Sequence, residues 1–278
     1  MLPPRRVRAG PRHLGWSVVT AYEEDLTAMP SYDTLAAVYE WLVPEPLLTP
    51  QGAARAFASV IDTIPAGARI LDCACGTGQL AVGLAQRGYD VVATDASAAM
   101  VDRTSALAAD HGVAVPAVTC EWEALVHQGW ETSFDAVFCV GNSITHAGPT
   151  PRRRAALSAM ASVLRDGGVL AVTSRNWDLV RAKGSGIQVA DRLIQRDGRR
   201  ALVIYGWTLP DRSESAFYVD VAVALLAEGG AVTTYQERLE CWLFSHDDLD
   251  ADLRAAGLRS LSSTYTDAAA RYLVTARR

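Results

Sequence analysis

The stretch that most constrains this chain is Arg69-Ile70-Leu71-Asp72-Cys73-Ala74-Cys75-Gly76-Thr77-Gly78. It reads as a buried strand that ends in an acid and opens into a glycine turn. An apolar helical face follows, then a second strand, Asp90-Val91-Val92-Ala93-Thr94, which ends at Asp95. Glycines at 76 and 78 let backbone approach a ligand closely and take angles that a β-carbon forbids. An acid closing the second strand of a βαβ unit can accept both hydroxyls of a ribose. The dinucleotide pattern requires a third glycine opening the helix. Here the turn continues Gln79, Leu80, Ala81, so no Gly-x-Gly-x-x-Gly is present.

The same alternation extends along the chain. Thr34 to Leu42 has apolar groups on one helical face and is closed by Pro44, Pro46 and Pro50. Gly52 to Ile64 predicts a second helix, and Ser97 is placed to cap a third that begins at Ala98. A strand is expected at residues 114–118, irregular or at an edge because of Pro116. Phe134 to Val140 is an apolar run of the kind a parallel sheet buries on both faces. Arg154 to Leu164 predicts a helix, Asp166 to Gly168 a turn and Val169 to Thr173 the fifth strand. This is a doubly wound α/β pattern. Three long extended runs then follow, Arg200–Leu209, Ser215–Leu226 and Val232–Phe244, separated by turns at Pro210-Asp211-Arg212 and Glu228-Gly229-Gly230. They read as an inserted three-stranded antiparallel meander. Ser245 caps a last helix that stops at Gly257, and Leu258–Tyr265 and Tyr272–Ala276 supply two closing strands.

Charge and composition narrow the partners. The 278 residues carry a net charge of −5, and the only tight cationic cluster is Arg152-Arg153-Arg154, expected to be a solvated helix start. No nucleic-acid partner is expected. No apolar stretch of about 18 residues occurs, so no membrane span is expected. The five cysteines fall mostly in apolar strands, where thiols behave as small hydrophobes and suit a reducing cytoplasm. Cys73-Ala74-Cys75 is too tightly spaced for the usual metal grip, and no metal is expected.

The run Leu71-Asp72-x-Ala74-Cys75-Gly76-Thr77-Gly78 resembles the first motif of the class I S-adenosylmethionine-dependent methyltransferases. Cys139-Val140-Gly141-Asn142-Ser143-Ile144-Thr145-His146 narrows the resemblance, being similar to the Cys-x-Gly-Asn-Ser-x-x-His segment of the glycine N-methyltransferase and glycine/sarcosine methyltransferase group. Ser174-Arg175-Asn176-Trp177-Asp178 resembles that group's His-Arg-Asn-Tyr-Asp signature. The resemblance implies a seven-stranded methyltransferase sheet with the meander as an inserted lid. It divides the chain into an N-terminal arm over 1–30, partly disordered, a Rossmann-like cofactor domain over 31–180 and 245–278, and a substrate lid over 181–244.

For the cofactor, S-adenosyl-L-methionine, the resemblance points to Asp72, Cys75, Gly76, Gly78 and Cys139 around the first and fourth strands. It adds Asp95, Ala96 and Met100 after the second, and Glu121 and Trp122 after the third, with Trp122 stacking on adenine. For catalysis it implies Tyr32 near the transferred methyl, Asn142 positioning the substrate, Arg175 gripping a substrate carboxylate and His146 beside them. Each has a plainer alternative. Arg175 could pair with Asp178, His146 could serve only as a hydrogen-bonding group, and Trp41, which aligns with a family tryptophan, could be core. The family's arginine after the first helix has no counterpart in residues 41–49, and Arg55 is the nearest substitute. The lid also carries Tyr205, Trp207, Phe217, Tyr218, Tyr235 and Trp242, wide enough to admit a larger acceptor if they face the pocket.

The expected activity is methyl transfer to the amine of an amino acid or small amino-carboxylate, glycine- or sarcosine-like or a natural-product amine. Two alternatives stay open at this point, small-molecule O-methylation in natural-product tailoring and a cofactor-binding regulator with little turnover. Residues 7–29 could close the pocket or cross to a second copy in a homo-oligomer.

Overall fold

The computed structural model describes residues 32–189, 193–210 and 215–278. The N-terminal arm expected over 1–30 and residues 211–212 of the expected Pro210 turn lie outside the described residues. The first sheet is built from β1 (Arg69–Asp72), β2 (Asp90–Asp95), β3 (Ala117–Thr119), β4 (Phe134–Cys139) and β5 (Leu164–Arg175). These five are parallel and lie in the order β3-β2-β1-β4-β5. A second sheet contains β6 (Gly186–Val189), β7 (Ile194–Arg196), β8 (Arg199–Thr208), β9 (Ala216–Leu226) and β10 (Val232–Trp242). The chain then returns to the first sheet, where β11 (Arg259–Ser263) and β12 (Arg271–Arg277) extend it beyond β5 with β12 antiparallel to its neighbours. The expected seven-stranded sheet with an antiparallel insertion is present. The inserted sheet has β6 and β7 as well as the three long strands, both short and both paired to β8.

The helices are α1 (Asp33–Ala36), α2 (Pro50–Ala56), α3 (Ala58–Ile61), α4 (Gln79–Ala85), α5 (Ala98–Asp110), α6 (Thr150–Val163), α7 (Trp177–Lys183) and α8 (His246–Ala255). Strand side chains alternate between faces, and β1 divides the core accordingly. Ile70 packs among Ala53, Leu80 and Leu84 on the α2 and α4 side. Leu71 belongs to the opposite cluster with Leu157, Met160 and Leu249. That second cluster continues without a break into Val203, Phe217, Val219 and Leu239 of the inserted sheet. The insertion therefore shares a core with the first sheet.

Local differences from the sequence expectation have physical causes. Residues 34–42 form the single turn α1 and a 3-10 turn at Tyr39–Trp41 in place of one helix. The span Gly52 to Ile64 is broken at Phe57 into α2 and α3. Pro116 delays β3 to Ala117, and β3 is an edge strand as expected. The predicted turn at 166–168 is a bulge inside β5, where pairing passes from Leu164 directly to Val169. Both predicted caps form: Ser97 Oγ accepts from Met100 N, and Ser245 makes a reciprocal capping box with Asp248.

The arginine cluster is the largest correction. It lies inside α6, which starts at Thr150, and Arg153 is 3 % exposed. Its guanidinium donates to Asp252 of α8 at 2.8 and 2.7 Å, and Arg154 Nε donates to the other carboxylate oxygen at 2.6 Å. Arg153 also lies over the Phe244 ring, 4.7 Å from its centroid. Breaking such a buried pair leaves a cation without its anion. Asp252→Ala is expected to destabilise the fold by about 3–5 kcal/mol, read by urea denaturation. A cost of a surface pair's size, below about 1 kcal/mol, would contradict this account. Among the described residues, no helix is long and apolar enough to cross a membrane.

Candidate active site

The carboxyl ends of β1, β2 and β4 open onto one cavity, the place where open α/β sheets receive ligands. The glycine turn forms its floor. Gly76 has φ +53°, and a β-carbon there would stand 3.8 Å from the Tyr39 ring with nothing nearer. Its amide donates to Asp95 Oδ2 at 2.9 Å, while Ser97 N donates to Oδ1 at 3.0 Å. The acid at the end of β2 is thus held toward the turn. Burial raises its pKa, against the opposing effect of these amides. Ala96, Met100, Glu121 and Trp122 line the same wall. Trp122 donates from its indole nitrogen to Cys73 O at 2.7 Å, which fixes the ring against the turn.

Asp72 is 1 % exposed, and neither carboxylate oxygen has a hydrogen-bond partner. Burial pushes its pKa up to about 7, and the amides of Ala74 and Ala81 lie near enough only to moderate the rise. Such a group is satisfied by a cation arriving in the cavity.

Tyr32, Tyr39 and His146 line the same cavity. His146 Nδ1 lies 2.8 Å from the carbonyl oxygen of Glu240 on β10. A carbonyl only accepts, so Nδ1 carries the proton and Nε2 is the acceptor. Tyr32 therefore donates its hydroxyl to Nε2 at 2.9 Å and keeps its own oxygen lone pairs for the cavity. Burial lowers the His146 pKa and raises that of Tyr32, so both are neutral near pH 7. Tyr32 has φ 57°, a left-handed conformation unusual for a bulky residue. Glu237 of β10 sustains it by accepting from the amides of Tyr32 at 2.9 Å and Leu35 at 3.2 Å.

Asn142 is also left-handed, at φ 72°. Its Oδ1 accepts from the Arg175 amide at 2.7 Å, and its own amide donates to Thr173 Oγ1 at 3.3 Å. It ties the end of β4 to the end of β5. The Arg175 side chain lies over Trp207, 5.2 Å from the ring centroid. Burial and then the neighbouring Arg271 bring its pKa down to about 10. Asp178 faces Arg181 at 3.7 Å, so the alternative pairing of Arg175 with Asp178 does not form.

Of the residues named from sequence, Tyr32, His146, Asp72, Cys75, Gly76, Asp95, Ala96, Met100, Glu121 and Trp122 line the cavity together. Gly78 and Cys139 are placed elsewhere. Gly78, at φ +89°, allows α5 to approach, since a β-carbon would come within 2.9 Å of Thr104 Cα. Cys139 is fully buried in the core. Asn142 and Arg175 sit beside the cavity without lining it. Arg55 is exposed on α2, and Trp41 is a core residue beneath the guanidinium groups of Arg196 and Arg199. Of the lid aromatics, Tyr205, Trp207, Phe217 and Tyr235 pack toward the shared core. Tyr218 lies under Arg238, and Trp242 donates to Glu240. The sequence reading missed Tyr39 and Glu237. Tyr39 sits seven residues after Tyr32 in what had the pattern of a continuous helix. Glu237 carries no local signal, because its partners are about 200 residues away.

The sheet order and the cavity at its carboxyl edge are those of the class I methyltransferase fold. Residues 70–168 match a family model described as a methyltransferase domain. The chain is similar to glycine/sarcosine N-methyltransferase of Aphanothece halophytica, 35 % identical over 116 residues, covering 42 % of this chain and 43 % of the relative. Human glycine N-methyltransferase is 36 % identical over 128 residues, with the same two shares. The chain thus matches less than half the length of these curated relatives. Among solved structures, the CcbJ methyltransferase of Streptomyces caelestis aligns with TM-score 0.71 at 20 % identity over 90 % of this chain and 98 % of that one. The sugar N-methyltransferase KedS8 of Streptoalloteichus aligns with TM-score 0.65 at 21 % identity over 96 % and 99 %. At these identities the solved structures establish the fold.

The Asp72 carboxylate makes stability depend on pH with a definite sign. Its folded pKa of about 7 exceeds the ordinary 3.8, so the folded state holds the proton more tightly than the unfolded one. The resulting stability is complete below the ordinary value and is lost as pH rises toward 7. The unliganded protein should therefore lose Tm between about pH 4 and 7, and Asp72→Asn should remove about 4 °C or more of that loss. Parallel pH profiles of variant and parent would contradict this.

Proposed function

We propose that this chain is an S-adenosylmethionine-dependent N-methyltransferase acting on a small amine that bears a carboxylate. The observation that carries this reading is the meeting of an unpartnered Asp72, Asp95 and the Tyr32–His146 pair in one cavity, with Arg175 beside it. The fit to the cofactor rests on this chain's own groups. The uncompensated Asp72 carboxylate suits a cationic amine, Asp95 retains lone pairs for hydroxyl groups, and Gly76 leaves space that a side chain would occupy. Ala96, Met100 and Trp122 supply apolar and aromatic wall for an adenine, with Glu121 at its edge. The bound cofactor supplies an electrophilic methyl group.

The chain's residues orient the acceptor toward that methyl. Arg175 holds the acceptor carboxylate, since its planar fork matches two oxygens at once. Asn142 acts by fixing the Arg175 backbone. The Tyr32 oxygen, with its proton committed to His146, accepts a hydrogen bond from the acceptor amine and aims the nitrogen lone pair. His146 Nε2 is already occupied, so it is a positioning group and not the base. The amine proton leaves to water before attack. Holding the reactants in line supplies much of the rate.

The curated relatives act on glycine or sarcosine by their names, and KedS8 is named a sugar N-methyltransferase. Both support nitrogen as the acceptor atom. We further propose that residues 31–180 with 245–278 hold the cofactor, and that 181–244 cover the acceptor. A net charge of −5 supports a small-molecule acceptor over a nucleic acid.

The test supplies labelled S-adenosylmethionine with glycine, sarcosine, larger amino acids, amines, hydroxy compounds and carboxylates, and follows the label by mass spectrometry. Transfer to amino-acid nitrogen, lost in Arg175→Ala, is the expected result. Transfer to oxygen alone, or cofactor binding without product across the panel, would overturn the reading. Tyr32→Phe should lower kcat by up to about 100-fold through loss of orientation, with cofactor affinity little changed. Because burial keeps His146 neutral below its ordinary 6.5, kcat should show no acidic limb from it between pH 6.5 and 8. A limb in that range that disappears in His146→Gln would contradict the assigned tautomer.

A further inference from the structure

Arg175 and Arg271 are direct cross-strand partners in the antiparallel pairing of β5 and β12. Side chains opposed in this way share one face of the sheet with their β-carbons about 5 Å apart, and like charges there repel. Among the described residues, neither guanidinium forms an ion pair with a carboxylate; of the acids nearest along the chain, Asp178 faces Arg181 and Asp267 lies four residues before Arg271. The two differ in depth. Arg175 is half-buried over Trp207, while Arg271 is exposed. Tyr205, stacked on Trp207 at 6.3 Å, completes the group on the lid side. The Arg271 charge reaches both Tyr39 on the cavity wall and Tyr205, lowering the pKa of each against the larger effect of burial.

We propose that this cross-strand arginine pair is a two-point anion site, selecting an acceptor that carries a second negative group beyond the carboxylate held by Arg175. The acceptor is then a dianionic small amine such as an amino dicarboxylate, its inner carboxylate on Arg175 and its outer anion on Arg271. Two stacked cations with no acid between them are relieved by a ligand of charge −2 and only partly by one of −1. This inference rests on the methyltransferase reading for its substrate, but the anion site can be tested apart from it.

The probes are succinate and butyrate, which have the same carbon count and differ by one carboxylate. Titration calorimetry on the full chain should show succinate bound about tenfold or more tightly, as a charge-assisted contact predicts. Arg271→Gln should bring succinate to the butyrate level while leaving butyrate and S-adenosylmethionine affinities unchanged, and Arg271→Lys should restore part of the preference. The preference should also shrink as salt is raised in the unaltered protein, which needs no variant. Equal affinity for the two probes, or a preference that survives Arg271→Gln, would overturn the proposal. Succinate selectivity without methyl transfer to any amine would leave the anion site standing and remove the methyltransferase reading. Efficient methylation of glycine with no advantage for an amino dicarboxylate would do the reverse.

Discussion

The hydrogen bond from His146 Nδ1 to the carbonyl oxygen of Glu240 sets the polarity of the Tyr32–His146 pair in the cavity. A backbone carbonyl has no proton to offer, so the imidazole has one available tautomer. That tautomer turns Nε2 into an acceptor, takes up the Tyr32 proton and leaves the phenolic oxygen as an acceptor facing the cavity. One strand of the inserted sheet therefore decides the hydrogen-bonding polarity of two side chains outside it. The same strand, through Glu237, holds the left-handed turn from which Tyr32 projects.

This places the insertion in a different physical role from a detached cover. Its inner face is continuous with the core over β4 and β5, through Phe217, Val219, Leu239 and Trp177. A surface that buries apolar side chains in a common cluster is held in register with its neighbour, because a slip would expose one face and bury the other. The register then fixes Glu237, Glu240 and Tyr205 relative to the carboxyl edge of the first sheet. On the far side of that core, Asp252 holds two arginines of α6 and so locks α8 to the helix that follows β4.

Charge is distributed unevenly across the site. At the β1 end, an acid lies buried without a partner, and at the β5 end two arginines lie opposed without an acid. Burial of the unpartnered Asp72 carboxylate costs folding free energy. The proposed function uses these two imbalances together, a cation at one end and an anion at the other. The neutral Tyr32–His146 pair between them can orient a reacting group without adding charge of its own.

Much of the Asp72–Asp95 side of the cavity was legible in the residue order. A strand ending in Asp72, a glycine turn, an apolar helix and a strand ending in Asp95 are local patterns, and backbone geometry requires little else to bring them together. The caps at Ser97 and Ser245 and the three long strands of the insertion are local in the same way. Where the sequence reading failed, the determining contact was distant. The helical pattern at residues 34–42 broke into two turns because β10 holds Tyr32 and Leu35 from about 200 positions away. Arg153 looked solvated because Asp252, nearly 100 residues later, is invisible to local charge patterning. Which tautomer His146 adopts, and which arginine stands opposite Arg175, depend on strand pairing across the chain. Residue type and spacing determined the sheet and the strand-end acids Asp72 and Asp95 by short-range sterics and burial; only tertiary packing decided the Tyr32–His146 pair and the opposed arginines, because their hydrogen bonds and charge pairs close between elements that the sequence keeps far apart.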